Sequence, residues 1–102
     1  MKVVFLPSAT PDVRWFARYY RSVFPQGRSS ARKHMAKAVT LLSENPAAGR
    51  ALPEGDQREL VILRTPFVLV YRIAASEIEI LRLRDARADP TAQDNPDRGP
   101  EA

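Results

Sequence analysis

The sequence has 102 residues, no cysteine and a single histidine. Without cysteine the chain forms neither disulfides nor thiolate metal sites, which suits a reducing compartment, so we expect a cytoplasmic protein. Long apolar stretches are also missing, since no segment approaches the roughly 20 apolar residues of a membrane span. The apolar run near the start ends at Pro7 and is too short for the apolar region of a signal peptide. We therefore predict no membrane partner.

Residues that commonly carry catalysis are scarce as well. There is no glycine-rich phosphate loop and no cluster of metal ligands, so we predict neither a metal nor a cofactor. The only histidine, His34, lies in a predicted basic helix beside Arg32 and Lys33, where a solvated surface residue is the usual case. Glu77 and Glu79 share one face of a predicted strand, which is typical of a charged, solvated face rather than a catalytic carboxylate pair.

The net charge of +4 is unevenly distributed along the chain. Residues 88–102 hold four acidic residues against one arginine, so the first 87 residues carry a net charge of +7. The same terminal segment contains three prolines, and we predict a disordered acidic tail that follows a single domain over 1–87. A compact domain with this charge favours acidic partners. Nucleic acid and an acidic protein both qualify, and charge alone leaves the two open.

The hydrophobic pattern predicts six elements in the order β-α-α-β-β-β. We place a strand at 1–6, helices at 10–24 and 28–44, and strands at 58–63, 67–73 and 77–84. The first strand is a continuous apolar run, which is typical of a central strand buried on both faces. Thr10 suits the N-cap of the first helix. The expected result is an α+β fold in which a helical hairpin packs on one face of a small, mostly antiparallel sheet.

Arginines are concentrated at the end of the last predicted strand. Arg82 and Arg84 are two residues apart and so point to the same side of the sheet, with Arg87 just beyond them. Arg72 on the neighbouring strand and Arg64 at the preceding turn are expected near that side. A guanidinium binds phosphate or carboxylate with two parallel hydrogen bonds. We interpret these five residues as a target-binding surface, and charges that protect an edge strand from aggregation are the alternative.

A second candidate surface lies on the first helix. Trp15, Tyr19 and Val23 recur at intervals of four residues and form a stripe beside the main apolar face, which includes Phe16 and Tyr20. One small sheet does not easily cover both stripes. Exposed aromatic residues on a helix often mark a protein interface, so we predict a partner-binding role for the stripe. Alternatively, its members wrap around the hairpin into the core.

Four segments occur in a fixed order around this pattern of elements. They are ENPAAGR at 44–50, REL at 58–60, FVLVYRI at 67–73 and IEILRLRDARAD at 78–89. Together they resemble the RelE/ParE superfamily of bacterial type II toxin–antitoxin toxins, and most closely its ParE branch. The resemblance covers roughly residues 1–89.

The resemblance implies one of two toxic activities. RelE-like toxins cleave messenger RNA on the ribosome, commonly with an arginine three residues before the strand tyrosine, whereas Val68 precedes Tyr71 here. ParE-like toxins inhibit DNA gyrase and lack that catalytic set. Arg84 stands where many of them have the histidine of HGAR, and Arg87 keeps the final arginine. We therefore expect a gyrase inhibitor without catalytic residues. A RelE-type ribosome-dependent endoribonuclease, or an inactive homologue that only binds antitoxin, remains the alternative.

The resemblance also implies a cognate antitoxin, ParD-like and with a DNA-binding part, through which alone the toxin reaches operator DNA. The sequence offers two docking places for it. One is the stripe of Trp15, Tyr19 and Val23, and the other is a free sheet edge that accepts an added strand. The charge of +7 on the domain suits the acidic wrapping segments that such antitoxins often have.

Overall fold

The computed structural model describes residues 1–87, so the predicted acidic tail lies outside the described residues. Five strands form one sheet: β1 Lys2–Phe5, β2 Arg50–Ala51, β3 Gln57–Val61, β4 Phe67–Ile73 and β5 Glu77–Asp85. Their order is β1-β5-β4-β3-β2, with β1 parallel to β5 and the other pairs antiparallel. The predicted α+β class and its mostly antiparallel sheet are confirmed.

Two helices form the hairpin between β1 and β2. Helix α1 spans Thr10–Arg18 and runs into a single π-helical turn, Tyr19–Val23, while α2 spans Arg28–Glu44 as predicted. A short 3₁₀ turn at Pro7–Ala9 leads directly into α1. Within residues 1–87 no helix is both long enough and apolar enough to cross a membrane.

Three local predictions were wrong. β1 is an edge strand that pairs only with β5, and Phe5 is exposed, so the strand is not buried on both faces. An apolar run shows that a strand packs against the core, but strand order depends on long-range pairing. Thr10 is the first residue of α1 rather than its N-cap, because the preceding 3₁₀ turn already sets a helical backbone at Ala9. The stretch between α2 and β3, where the six predicted elements include no strand, contains β2.

The core lies between the sheet and the hairpin. Its largest fully buried side chains come from α2, the β3–β4 turn, β4 and β5, and they are Leu42, Ile62, Phe67, Leu69, Tyr71, Ile78, Ile80 and Leu83. Helix α2 contributes Ala31, Ala38 and Leu42 to the buried core. Val68 and Val70 are also buried, although they point to the sheet face that is turned away from the helices.

A bulge in β5 determines which side chains share this outer face. Ile80 pairs with Tyr71 and Arg82 pairs with Val70, so Leu81 is an extra residue in β5. If side chains alternated strictly along β5, Glu79 and Arg82 would point to opposite faces of the sheet. The extra residue Leu81 shifts this alternation by one position. The bulge therefore brings Glu79 and the two strand arginines onto one face.

Candidate functional site

Two of the predicted arginines, Arg82 and Arg84, meet carboxylates of other elements. Arg82 donates from Nε and Nη2 to the two carboxylate oxygens of Asp12 in α1, at 2.7 and 3.1 Å. Asp12 also accepts a hydrogen bond from the backbone N–H of Leu83 at 2.9 Å, which ties α1 to β5. Arg84 donates to Glu59 of β3 at 2.9 Å. Since β4 lies between these two strands, this ion pair crosses the outer face of β4.

The ion pair between Arg84 and Glu59 explains why the outer face of β4 is covered. Val68 pairs with Arg84, and Val70 pairs with both Glu59 and Arg82. The aliphatic stems of the arginines therefore flank the two valines and remove them from water. The strand arginines thus have a structural role in addition to any binding role.

Arg87 follows β5 and belongs to a third cluster, the Asp85 network, formed by Trp15, Tyr19, Asp85 and Arg87. Arg87 donates from Nη2 and Nε to the two oxygens of Asp85, at 3.0 and 3.1 Å. Its Nη1 donates to the hydroxyl of Tyr19 at 2.7 Å, and its guanidinium carbon lies 4.3 Å from the centre of that ring. The indole N–H of Trp15 donates to Asp85 at 2.9 Å.

The two charged members of the Asp85 network differ in burial. The side chain of Asp85 is 8% exposed and that of Arg87 is 48% exposed. Burial alone would raise the pKa of Asp85, but hydrogen bonds from the Arg87 side chain, Trp15 and the Arg87 backbone hold that pKa below its usual value. The hydrogen bond to Asp85 raises the pKa of Arg87. A buried carboxylate therefore fixes a half-exposed guanidinium in one orientation.

The π-helical turn places Tyr19 beside Arg87. The backbone N–H of Phe24 donates to the carbonyl of Tyr19, five residues back, at 2.8 Å. This wider turn allows the adjacent residues Tyr19 and Tyr20 both to be buried in the core. Single π-helical turns inside helices are frequent at functional sites. No local feature of the sequence announces this turn.

The predicted stripe on the first helix does not form one exposed surface. Tyr19 is buried and Trp15 packs partly buried against the core, whereas Val23 is 59% exposed. Trp15 and Tyr19 therefore follow the alternative prediction, in which the stripe wraps around the hairpin into the core. Their role in antitoxin binding stays a prediction.

The remaining predicted arginines occupy two further places. Arg72 donates from Nε to Glu79 at 2.7 Å on the outer face, and this hydrogen bond raises the pKa of Arg72. Arg64 is exposed in the turn before β4 and has a left-handed backbone, with φ of 62°. A hydrogen bond from Ala86 to Pro66 joins that turn to the end of β5. Arg64 and Arg87 therefore lie at the same end of the sheet.

Sequence reasoning missed the structural role of Tyr71. Its buried hydroxyl donates to the carbonyl of Pro46 at 2.7 Å and accepts from the backbone N–H of Gly49 at 2.8 Å. A Cβ at Gly49 would lie 2.6 Å from this hydroxyl and 2.7 Å from the carbonyl oxygen of Glu59, so only glycine fits. Tyr71 thus fixes the ENPAAGR segment to the sheet. The sequence feature that could have indicated this contact is Gly49, which lies three residues after Asn45–Pro46.

Two other side chains that could act in catalysis, His34 and Glu59, already have partners within the fold. His34 lies on α2, where its Nδ1 donates to the carbonyl of Ser30 at 2.8 Å. Glu59 forms ion pairs with Arg50 and Arg84. No group of three or more histidine, aspartate or glutamate residues in the described part of the chain could hold a metal ion.

Comparison with known proteins places this architecture in a class. The family model described as the ParE toxin of the type II toxin–antitoxin system parDE matches residues 3–90. A solved structure described as a chromosomal ParDE TA system from P. aeruginosa is similar, with a TM-score of 0.66 and 26% sequence identity. The match covers 83% of this chain and 95% of that chain. A search of curated proteins found no match.

The fold and these matches define the class as toxins of the RelE/ParE superfamily. Within it, the chain belongs to the ParE toxin family of type II toxin–antitoxin systems.

Asp85→Asn should lower stability at neutral pH and have little effect in acid. Because the pKa of Asp85 is lowered in the folded state, its charge stabilises the fold above the ordinary carboxyl pKa of about 3.9. This contribution is lost as the pH falls through the lowered value. We expect a loss of about 2 kcal/mol at pH 7, where Asp85 accepts hydrogen bonds from Trp15 and Arg87.

The measurement is thermal unfolding of both proteins between neutral and strongly acidic pH. Glu77→Gln on the same strand is the control, since Glu77 forms no ion pair with other residues in the range 1–87. If the difference in stability between Asp85→Asn and the wild type stays constant across this pH range, the charge of Asp85 contributes nothing to stability.

Proposed function

We propose that the protein inhibits DNA gyrase by binding and that a cognate antitoxin neutralises it. Membership of the ParE family supports gyrase as the target, because the resemblance to ParE-like toxins implies inhibition of gyrase. We place both proteins in the cytoplasm and expect operator DNA to be reached only through the antitoxin.

The observation that supports binding rather than catalysis is that the hydroxyl of Tyr71 is buried and hydrogen bonded within the fold. A RelE-type nuclease needs an acid or base beside its arginines. The hydroxyl of Tyr71 is buried between Pro46 and Gly49, and Glu59 is held by two arginines. Neither group is positioned to exchange protons with a substrate.

The last strand offers a surface for an acidic partner. Arg82 and Arg87 remain about half exposed while they are paired with Asp12 and Asp85. A guanidinium has five N–H donors, so each still has donors that no hydrogen bond within residues 1–87 uses. Because carboxylates of the fold already orient these side chains, binding orders them little further. Arg84 lies between the two along the chain.

A supercoiling assay with purified gyrase and relaxed plasmid tests the proposal. We expect inhibition by the purified toxin and its reversal when the antitoxin is added first. Full supercoiling at a large molar excess of toxin would reject gyrase as the target. Mapping of messenger RNA ends after induction would reveal a ribosome-dependent nuclease. Normal growth without antitoxin would indicate an inactive homologue.

A further inference from the structure

The guanidinium of Arg87 is held by the fold from two sides. On one side Asp85 accepts hydrogen bonds from Nε and Nη2, and on the other the hydroxyl of Tyr19 accepts one from Nη1 at 2.7 Å. Tyr19 is buried, and the centre of its ring lies 4.3 Å from the guanidinium carbon, so the ring also attracts the cation. Asp85 and Tyr19 together restrict a half-exposed side chain to one orientation.

These contacts leave a defined set of donors on Arg87. A guanidinium has five N–H groups, and Asp85 and Tyr19 use one each on Nε, Nη2 and Nη1. One N–H on Nη1 and one on Nη2 therefore have no acceptor within residues 1–87. Because the side chain is half exposed, an acceptor from another molecule can reach them. The fold thus presents two N–H donors whose direction is set before any partner binds.

Asp85 is itself fixed through both of its oxygens. One oxygen accepts from Nε and from the backbone N–H of Arg87, and the other accepts from Nη2 of Arg87 and from the indole N–H of Trp15. Four hydrogen bonds occupy all the acceptor positions of a carboxylate. Asp85 is therefore a rigid support for Arg87.

The contact between Tyr19 and Arg87 is not needed to hold α1 against β5. Asp12 of α1 already binds Arg82 and the backbone N–H of Leu83. Fixing a long, half-exposed side chain costs conformational entropy. Other exposed cations are not fixed in this way: between residues 10 and 44 the hairpin has seven arginines and lysines, and none pairs with a carboxylate of the described range. An arginine oriented at the surface is typical of a preorganised binding site.

The charge balance of the last strand favours a carboxylate over a nucleic acid as the ligand. Each of its three arginines pairs with a carboxylate of the fold, in the pairs Arg82–Asp12, Arg84–Glu59 and Arg87–Asp85. These pairs add no net charge, whereas binding to a phosphate backbone depends on uncompensated positive charge. A guanidinium recognises a carboxylate through directed hydrogen bonds, which an oriented side chain supplies.

We infer that Tyr19 is a positioning residue for Arg87, and that the two remaining N–H donors of Arg87 bind a carboxylate of the target protein. This inference rests on the proposed function, in which the target is DNA gyrase. Tyr19 acts through the arginine, because its hydroxyl is bound to Nη1. Its role therefore differs from the antitoxin binding that the spacing of the helical stripe predicts.

A double-mutant cycle in the supercoiling assay, with the full-length chain, tests the inference. Tyr19→Phe removes the hydroxyl but keeps the ring, and Arg87→Lys keeps the positive charge beside Asp85 but loses the planar set of donors. We expect each single change to raise the toxin concentration for half-maximal inhibition about tenfold. The double variant should be no weaker than Arg87→Lys alone, since the hydroxyl has no effect without the arginine.

Tyr20→Phe is the control for the loss of a buried hydroxyl. Tyr20 is adjacent to Tyr19 and also buried, but its hydroxyl makes no hydrogen bond with the residues that the structure describes. We expect its inhibition of gyrase to equal that of the wild type. Thermal unfolding of every variant sets the assay temperature, so that all the proteins compared are fully folded.

Three results would overturn this inference alone. If Tyr19→Phe inhibits gyrase like the wild type, the hydroxyl does not position Arg87. If the losses add in the double variant, Tyr19 acts by a route other than the arginine. If the toxin binds plasmid DNA without gyrase, and both single changes weaken that binding, Arg87 contacts phosphate and not a carboxylate. A wild-type chain that does not inhibit gyrase would reject the proposed function, and this inference would fail with it.

Discussion

Replacing Tyr71 with phenylalanine should destabilise the fold by about 2–4 kcal/mol, although the change removes a single oxygen atom. The hydroxyl satisfies the carbonyl of Pro46 and the backbone N–H of Gly49. Phenylalanine fills the same space but leaves both groups without a partner in a site that water does not reach easily. For a domain of this size, the loss corresponds to a decrease in melting temperature of about 10–20 °C.

Chemical and thermal denaturation of the variant measure this effect, and Tyr20→Phe is the matched control. Tyr20 is also buried, but its hydroxyl makes no hydrogen bond with other residues of the range 1–87. We expect the control to change stability by less than about 1 kcal/mol, since no buried partner is left unsatisfied. Equal effects of the two substitutions would mean that the loop contact of Tyr71 adds no stability.

The same variant separates a structural tyrosine from a catalytic one. At a temperature where Tyr71→Phe is fully folded, its inhibition of gyrase per folded molecule should equal that of the wild type. A nuclease that used the hydroxyl would lose its activity even when folded. A fully folded but inactive variant would therefore contradict the binding mechanism.

Local signals in the sequence predicted some elements to the residue. Helix α2 begins after Gly27 and ends before Asn45–Pro46, and β4 begins directly after Pro66. Glycine and proline restrict the backbone of their immediate neighbours, so their effects can be inferred without knowledge of the fold.

The site depended on contacts that the sequence does not reveal. Arg82 and its partner Asp12 are 70 residues apart in the chain, and the Trp15–Asp85 contact spans the same separation. The arginines were predicted as a basic surface because spacing on one strand shows their direction but not the carboxylates that face them. The edge position of β1 likewise depends on pairing with β5. Adjacent apolar residues at Ile80 and Leu81 were the one sequence signal of the bulge.

Removing the three arginines of the last strand should abolish gyrase inhibition, but only a balanced substitution tests this cleanly. Alanine at these positions alone would remove the ion-pair partners of Asp12 and Asp85 and leave Glu59 paired with Arg50 alone, and the three carboxylate side chains are at most 16% exposed. An unpaired buried carboxylate is strongly destabilising. A loss of inhibition in that variant could therefore reflect unfolding.

The balanced variant replaces each arginine together with its carboxylate. The changes are Arg82→Ala with Asp12→Asn, Arg84→Ala with Glu59→Gln, and Arg87→Ala with Asp85→Asn. Three charges of each sign are removed, so the domain keeps its net charge and its long-range attraction for acidic partners. We expect inhibition of supercoiling to fall by at least about 100-fold, since buried charge pairs at an interface are each worth a few kcal/mol.

The control carries only the three carboxylate changes and keeps every arginine. Its fold is weakened by the same lost ion pairs, so the two variants should have similar melting temperatures, while the control should still inhibit gyrase when folded. If the balanced variant is folded and inhibits like the wild type, the arginines serve only to hold β5 against α1 and β3 and to cover Val68 and Val70. In that case the gyrase-binding surface lies elsewhere on the toxin, and the positively charged hairpin becomes the next region to test.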